Sequence, residues 1–156
     1  MLKAMEALSI ETVALPIFLS VEEEGGKASV IASKSPIDVD NIKNMSEIGA
    51  TGDNVKAYEA GQTIGNYLYD LGFNMDFAPV ADVKTDAENK LLGDRSYGSE
   101  ASNVAAHVGA MVKGLEESGV SAGVKAFPGI GSANKDPEDG LAITERTLEE
   151  MQNAEF

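Results

Sequence analysis

Val120–Gly131 reads Val-Ser-Ala-Gly-Val-Lys-Ala-Phe-Pro-Gly-Ile-Gly and has the form of a buried strand that ends in a glycine-rich loop. Small apolar residues occupy every second position from Val120 to Ala126, which is the pattern of a strand with one apolar side. A proline and two glycines follow, and they end the predicted strand in a tight loop. Lys125 therefore lies at the carboxyl end of the strand, where parallel α/β proteins bind their ligands.

Two earlier apolar stretches are also predicted strands. Thr12–Val21 is a continuous apolar run, in which Pro16 marks the start and Ile17–Val21 forms the body. Phe73–Val80 is the second predicted strand. Both runs are typical of strands that are buried on two faces of a parallel sheet.

Helical patterns alternate with the strands. The sequence predicts helices over Asp53–Leu71 and Ser99–Ser118, and a capping box at Thr147–Glu150 opens a last helix. Met1–Ser9 has the spacing of the tail of a helix, and Lys27–Gly52 is predicted to be an irregular crossover. The order strand–helix–strand–helix–strand–helix implies an α/β fold with parallel strands and right-handed crossovers.

The helix over Asp53–Leu71 shows where the core is expected. Val55, Ile64 and Leu68 share one face of it, and Gly72 is placed to end it.

Composition excludes several classes of protein. The chain has 156 residues, with 43% hydrophobic and 24% charged side chains, as in an ordinary globular domain with one core. Its net charge of −14, from 12 basic and 26 acidic residues, argues against nucleic acid and anionic membrane surfaces as partners. It contains no cysteine, no run of membrane-spanning length and no signal-peptide pattern, so its localisation stays undefined.

No metal or cofactor is expected. His107 is the only histidine and lies within a predicted helix, which favours a structural role. Glu22–Glu24 lacks the alternating acidic ladder of a calcium loop. Gly129–Gly131 is followed by a long loop, whereas a dinucleotide-binding turn leads directly into a helix.

Polar loops follow the carboxyl ends of all three predicted strands. They span Glu22–Gly26, Asp82–Gly98 and Lys125–Gly131. Loops at this edge of a parallel sheet or barrel build its binding site, so we expect the three to converge on one face.

Four motifs in these loops resemble the N-terminal catalytic domain of glycoside hydrolase family 3, and most closely its β-N-acetylhexosaminidase branch. They are Val-Glu-Glu-Glu-Gly-Gly from Val21, Asn-Met-Asp-Phe-Ala-Pro-Val-Ala-Asp-Val from Asn74, Gly-Asp-Arg-Ser-Tyr-Gly from Gly93 and Lys-Ala-Phe-Pro-Gly-Ile-Gly from Lys125. The resemblance implies a partial (β/α)8 TIM barrel of about three parallel strands with intervening helices. Residues 1–156 are then an incomplete barrel domain of this family.

The resemblance also implies a carbohydrate substrate, namely a terminal β-linked sugar such as N-acetylglucosamine, and a retaining mechanism. Arg95 and Lys125 match family residues that hold sugar hydroxyls, and cations with several N–H donors suit that task. Without the resemblance they would be read as a surface ion pair and a strand-end lysine. Glu22 stands where the family usually has a sugar-binding aspartate.

The chain departs from the family at two histidines of the last motif, where Ala126 and Ile130 stand instead. The hexosaminidase branch also carries an aspartate–histidine pair two residues apart, whose histidine is the general acid/base. Here Asp136 remains and Glu138 replaces the histidine, so these two are the candidate catalytic residues. A glutamic acid can act as acid/base if burial or a neighbouring carboxylate raises its pKa.

Two functions follow from this pattern. The first is part of a retaining glycosidase; the alternative is a non-catalytic sugar-binding or structural relative that has lost the histidines. A retaining glycosidase needs a carboxylate nucleophile, and in this family it lies on a later strand, so the 156 residues alone are expected not to hydrolyse glycosides. Open strand edges also predict that the chain either is part of a longer protein or buries those edges by self-association.

Overall fold

The computed structural model describes residues 1–87, 89–133, 140–141 and 143–154. It contains helices, short parallel strands and two 3₁₀ turns, the turns at Gly26–Ala28 and Gly93–Arg95. In chain order the helices and strands are α1 (Leu2–Val13), β1 (Ser20–Val21), α2 (Ile31–Lys34), α3 (Met45–Gly49), α4 (Asn54–Leu71), β2 (Met75–Asp76), α5 (Ala101–Glu117), β3 (Ser121–Ala122) and α6 (Leu148–Gln152).

The three strands form one parallel sheet in the order β1–β2–β3. Met75 is in register with Ser20 on one side and with Ser121 on the other. Sequential strands are thus neighbours joined by helical crossovers. The predicted α/β class and the parallel sheet are confirmed.

Helices α4 and α5 pack against each other and supply half of the buried side chains of the core cluster. The core side chains are apolar and fully or almost fully buried, and they include Ile64, Leu68, Val104, Met111 and Leu115. Both helices run from the edge at the carboxyl ends of the strands back to the opposite edge, because each helix ends just before a strand begins. The carboxyl-end loops therefore lie together at the edge away from the ends of α4 and α5.

The prediction for the first strand was wrong in its bounds. The predicted body Ile17–Val21 is reduced to Ser20–Val21. Thr12 and Val13, at the start of the apolar run, belong to α1. Helix α1 ends at Ala14, which has a left-handed backbone with φ of 57° and donates its N–H to the Ile10 carbonyl oxygen. The apolar run thus continues a helix before it enters the sheet.

The apolar side of the third strand is only partly buried. Val120 is buried, whereas Val124 is half exposed and Ala126 is exposed. The regular pairing ends at Ala122, and only a single parallel bridge between Val80 and Lys125 continues it. The alternating pattern thus extends beyond the paired strand into a loop whose apolar residues Val124 and Ala126 are exposed to solvent.

The predicted irregular crossover over Lys27–Gly52 contains two short helices, α2 and α3. Asn44 begins α3 with a capping box to Glu47. No helix among the described residues is both long enough and apolar enough to cross a membrane.

Candidate active site

Three acidic residues follow β1 and point in different directions. The Glu23 carboxylate is buried and accepts the N–H groups of Val30, Ile31 and Ala32 at 2.7, 2.8 and 2.9 Å. It also accepts the Tyr67 hydroxyl at 2.8 Å. Glu23 therefore anchors the start of α2, and its carboxylate accepts four hydrogen bonds from within the protein.

Glu24 is the centre of the site. Its buried carboxylate receives Arg95 in a two-point contact, Nε to Oε2 at 2.6 Å and a terminal nitrogen to Oε1 at 2.8 Å. The Lys125 ammonium lies 2.6 Å from the same Oε1. Glu24 thus joins the three loops that follow β1, β2 and β3.

Glu22 completes the group from the solvent side. Its side chain is 63% exposed, and its Oε1 lies 3.1 Å from the Lys125 ammonium. We refer to Glu22, Glu24, Arg95 and Lys125 as the charge cluster. Two carboxylates and two cations give it a formal charge of zero.

The cluster places Glu22, Arg95 and Lys125 together, as the sequence predicted. Sequence reasoning missed Glu24, although a signal was present. In an extended chain successive side chains alternate between two faces, so Glu22 and Glu24 share a face and Glu23 points away.

The charges of the cluster are stabilised by one another. Burial alone raises the pKa of Glu24, but hydrogen bonds from Arg95 and Lys125, together with their positive charges, lower it below its usual value. The bond to Glu24 raises the pKa of Arg95, which burial opposes. Glu24 is therefore ionised at neutral pH, and its charge holds both cations.

Asp82 shapes the loop that carries Lys125. Its buried carboxylate accepts the N–H of Ala126 at 3.0 Å and also the N–H of Ile130. A Cβ at Gly129 would lie 2.6 Å from Asp82 Oδ1, so the loop can close on this carboxylate only with glycine there. Asp82 is the second site residue that sequence reasoning did not single out.

Asp76 lies beneath the cluster at the end of β2 and is fully buried. One of its oxygens accepts the Glu23 N–H at 2.8 Å, and the other has no hydrogen-bond partner among the described residues. Burial, with only partial compensation from that bond and from Lys125, raises the pKa of Asp76 to about 7.

A cavity of about 520 Å³ opens beside the cluster. Glu22, Glu24, Arg95, Leu92, Met45 and Lys27 are among its lining residues. Lys27 and Ser46 both contact the Asp94 carboxylate, at 3.3 and 3.1 Å. Charged and apolar side chains thus both line the cavity, which is the usual make-up of a small-ligand pocket.

The candidate catalytic residues Asp136 and Glu138 lie outside the described residues. Ala126 is exposed and Ile130 half-buried, on the loop that Asp82 holds. In the described ranges, no group of three histidine, aspartate or glutamate side chains is placed to hold a metal ion.

Comparison with known proteins decides the family. The sequence profile described as "Glycosyl hydrolase family 3 N terminal domain" matches residues 1–156. The chain belongs to glycoside hydrolase family 3.

Its relatives within family 3 include named β-hexosaminidases. "Beta-hexosaminidase LpqI" of Mycobacterium tuberculosis is 34% identical over 140 residues, which cover 83% of this chain and 33% of the relative. "Beta-hexosaminidase A" of Pseudoalteromonas piscicida is 37% identical over 132 residues, which cover 81% of this chain and 21% of the relative. The chain therefore spans a third or less of the length of these relatives.

Solved family 3 structures agree with the fold. A family 3 beta-N-acetylglucosaminidase from Paenibacillus superposes with a TM-score of 0.86 at 34% identity, covering 97% of this chain and 28% of the other. NagZ from Neisseria gonorrhoeae superposes with a TM-score of 0.79 at 25% identity, and the match covers 99% of this chain and 46% of the other. The three parallel strands and their helices correspond to part of the barrel-like fold of these domains.

Proposed function

We propose that this chain supplies the sugar-binding side of a retaining β-N-acetylhexosaminidase, which hydrolyses terminal β-linked N-acetylglucosamine or a related sugar. The observation that carries the proposal is the convergence of Arg95 and Lys125 on Glu24, beside an open cavity at the carboxyl edge of three parallel strands. Membership of a glycosidase family and the names of the relatives support it.

The cluster has donors left for a ligand. Within the described residues, the Lys125 ammonium contacts two carboxylates, so one of its three N–H groups remains available. Arg95 uses Nε and one terminal nitrogen on Glu24, which leaves its second terminal nitrogen. Charge-assisted donors at fixed positions are suited to neighbouring hydroxyl oxygens of a sugar ring.

Catalysis needs groups besides these donors. We assign the acid/base role to Glu138, with Asp136 nearby, by analogy with the aspartate–histidine pair of the hexosaminidase branch. In a retaining mechanism one carboxylic acid protonates the leaving oxygen while a carboxylate forms the glycosyl-enzyme. In this family the nucleophile comes from a later strand, so residues 1–156 are proposed to be one part of the catalytic barrel.

The second candidate function is a sugar-binding relative without catalysis. It is favoured by Ala126 and Ile130, which stand where the family usually has histidines. The charge cluster survives in such a protein, while the acid/base chemistry is lost.

Turnover separates the two functions. The native gene product is incubated with a chromogenic β-N-acetylglucosaminide, next to its Arg95→Ala and Glu138→Gln variants. The enzyme hypothesis predicts hydrolysis that both substitutions abolish or strongly reduce. Absence of hydrolysis, together with saturable binding of N-acetylglucosamine, would instead support the non-catalytic relative. Absence of both activities would contradict the proposal.

A further inference from the structure

Glu24 is the buried carboxylate of the charge cluster, whereas Glu22, its other carboxylate, is exposed. Arg95 and Lys125 approach the same oxygen of Glu24, at 2.8 and 2.6 Å. Two cations held this close repel each other unless a negative charge lies between them. The carboxylate therefore determines both their positions and the net charge that a ligand meets.

We propose that Glu24 is a positioning and specificity-determining residue, which fixes Arg95 and Lys125 for hydrogen bonding and shifts the site's preference toward neutral sugars. The inference rests on the proposed sugar-binding function. Glu24 acts through the two cations and is not assigned a contact with the reacting atoms.

Positioning follows from the geometry of the contacts. The guanidinium of Arg95 bonds Glu24 through two nitrogens, and such a fork fixes its plane as well as its position. Lys125 is held from two sides, by buried Glu24 and exposed Glu22. Loss of Glu24 would release the plane of Arg95 and leave Lys125 with the solvent-exposed carboxylate, which is a weak anchor.

Charge selection follows from the formal balance of the cluster. With Glu24 present, two carboxylates face two cations, so a hydroxyl gains charge-assisted bonds while a carboxylate meets no net positive charge. Removing the charge of Glu24 leaves the cluster at +1. An anionic sugar then gains affinity relative to its neutral counterpart.

The test compares two probes that differ by one charge. N-acetylglucosamine and N-acetylglucosaminuronic acid, which carries a carboxylate at C6, are titrated calorimetrically into wild-type protein, Glu24→Gln, Glu24→Asp and Glu116→Gln. Glu116 is an exposed control on α5. It lies near the end of that helix and therefore at the opposite edge of the sheet.

We expect Glu24→Gln to weaken binding of N-acetylglucosamine by about tenfold or more, as for loss of hydrogen bonds to a charged group. The affinity ratio of uronate to neutral sugar should rise by a similar factor, about tenfold. Glu24→Asp keeps the charge but is too short to reach both cations, so it should lose affinity with little change in the ratio. Glu116→Gln should change neither quantity.

Three results would overturn the inference. Unchanged affinity in Glu24→Gln would remove the positioning role. An equal loss for both sugars in Glu24→Gln, which removes the charge, would indicate a merely structural role. Failure of wild-type protein to bind N-acetylglucosamine would contradict the proposed function itself, and the inference with it. If thermal unfolding shows that Glu24→Gln does not fold, Glu24→Asp decides: reduced affinity at an unchanged ratio supports the inference, and wild-type affinity contradicts it.

Discussion

At the scale of single residues, Asp76 combines full burial with one oxygen that has no partner among the described residues. Burial raises the pKa of this carboxyl to about 7, against an ordinary value of 3.8. The folded protein therefore retains the Asp76 proton over a pH range in which the unfolded chain has lost it. The contribution of Asp76 to the free energy of unfolding is therefore largest below the pKa that it has in the unfolded chain. This contribution is lost as the pH rises from there through about 7.

Asp76→Asn should make stability less dependent on pH. The amide cannot ionise. The free energy of unfolding of the variant should therefore rise relative to that of wild type between pH 5 and pH 8, by on the order of a few kcal/mol at most. Urea unfolding at the two pH values measures the difference. Asp70→Asn, on the exposed end of α4, is the matched control, and the change between the two pH values should be larger for Asp76→Asn than for this variant.

The sequence predicted both cations and the exposed Glu22, but not the buried carboxylate that contacts both cations. Arg95 and Lys125 were predicted to share a site, and they meet on Glu24. Glu24 and Asp82 were not predicted, because their roles depend on which carboxylates fold inward. Asp82 bonds backbone N–H groups of a loop 44 residues further along the chain, a contact that no local pattern encodes.

At the scale of secondary structure, α4 and α5 approach each other through glycines. A Cβ at Gly114 would overlap the Tyr58 carbonyl oxygen, and a Cβ at Gly61 would overlap that of Met111. A Cβ at Gly65 would lie 2.6 Å from the Ser118 Cβ. The close packing of these helices thus depends on residues without side chains.

Gly114→Ala and Gly109→Ala should have opposite effects, although both lie in α5. The added methyl group at Gly114 meets backbone and should destabilise the protein by about 1–3 kcal/mol. Gly109 has no heavy atom within 4 Å of an added Cβ, so alanine there should stabilise by about 1 kcal/mol through helix propensity. Chemical unfolding of both variants is the measurement. Equal effects at the two positions would contradict the packing described.

Helix ends were predictable where a cap defines them. Asp53 accepts the Val55 N–H, and Gly72 ends α4 with φ of 99°. Thr147 and Glu150 form the predicted capping box of α6. The buried face of α4 was less predictable: Val55 is 55% exposed, because the helix packs through its small residues as well as Ile64 and Leu68.

At the scale of the whole molecule, the described chain leaves several large apolar side chains exposed. Phe127, Phe18 and Leu15 are 79%, 78% and 66% exposed. β1 and β3 are the two edges of the three-stranded sheet. Exposed edges and apolar patches favour association.

The isolated 156-residue chain is therefore expected to self-associate. Multi-angle light scattering should give a mass above the 16.3 kDa of one chain, increasing with concentration. Replacement of Phe18 and Phe127 by serine should reduce that mass. A compact monomer of 16.3 kDa at all concentrations would contradict the expectation.

The alternation of strands and helices was enough to predict the fold class and the meeting of the loops that follow the strands. Strand lengths were not predictable, because β2 and β3 each pair over only two residues before their chains turn into loops. Apolar alternation continues into those loops, so pattern alone does not reveal where pairing stops.

The charge cluster is proposed to bind a sugar through Lys125 and Arg95. Calorimetric titration of N-acetylglucosamine into the wild-type chain, Lys125→Ala and the exposed α5 control Lys113→Ala tests it most directly. We expect saturable heat for wild type and Lys113→Ala, and its loss in Lys125→Ala. Binding by Lys125→Ala as tight as that of wild type would contradict the claim.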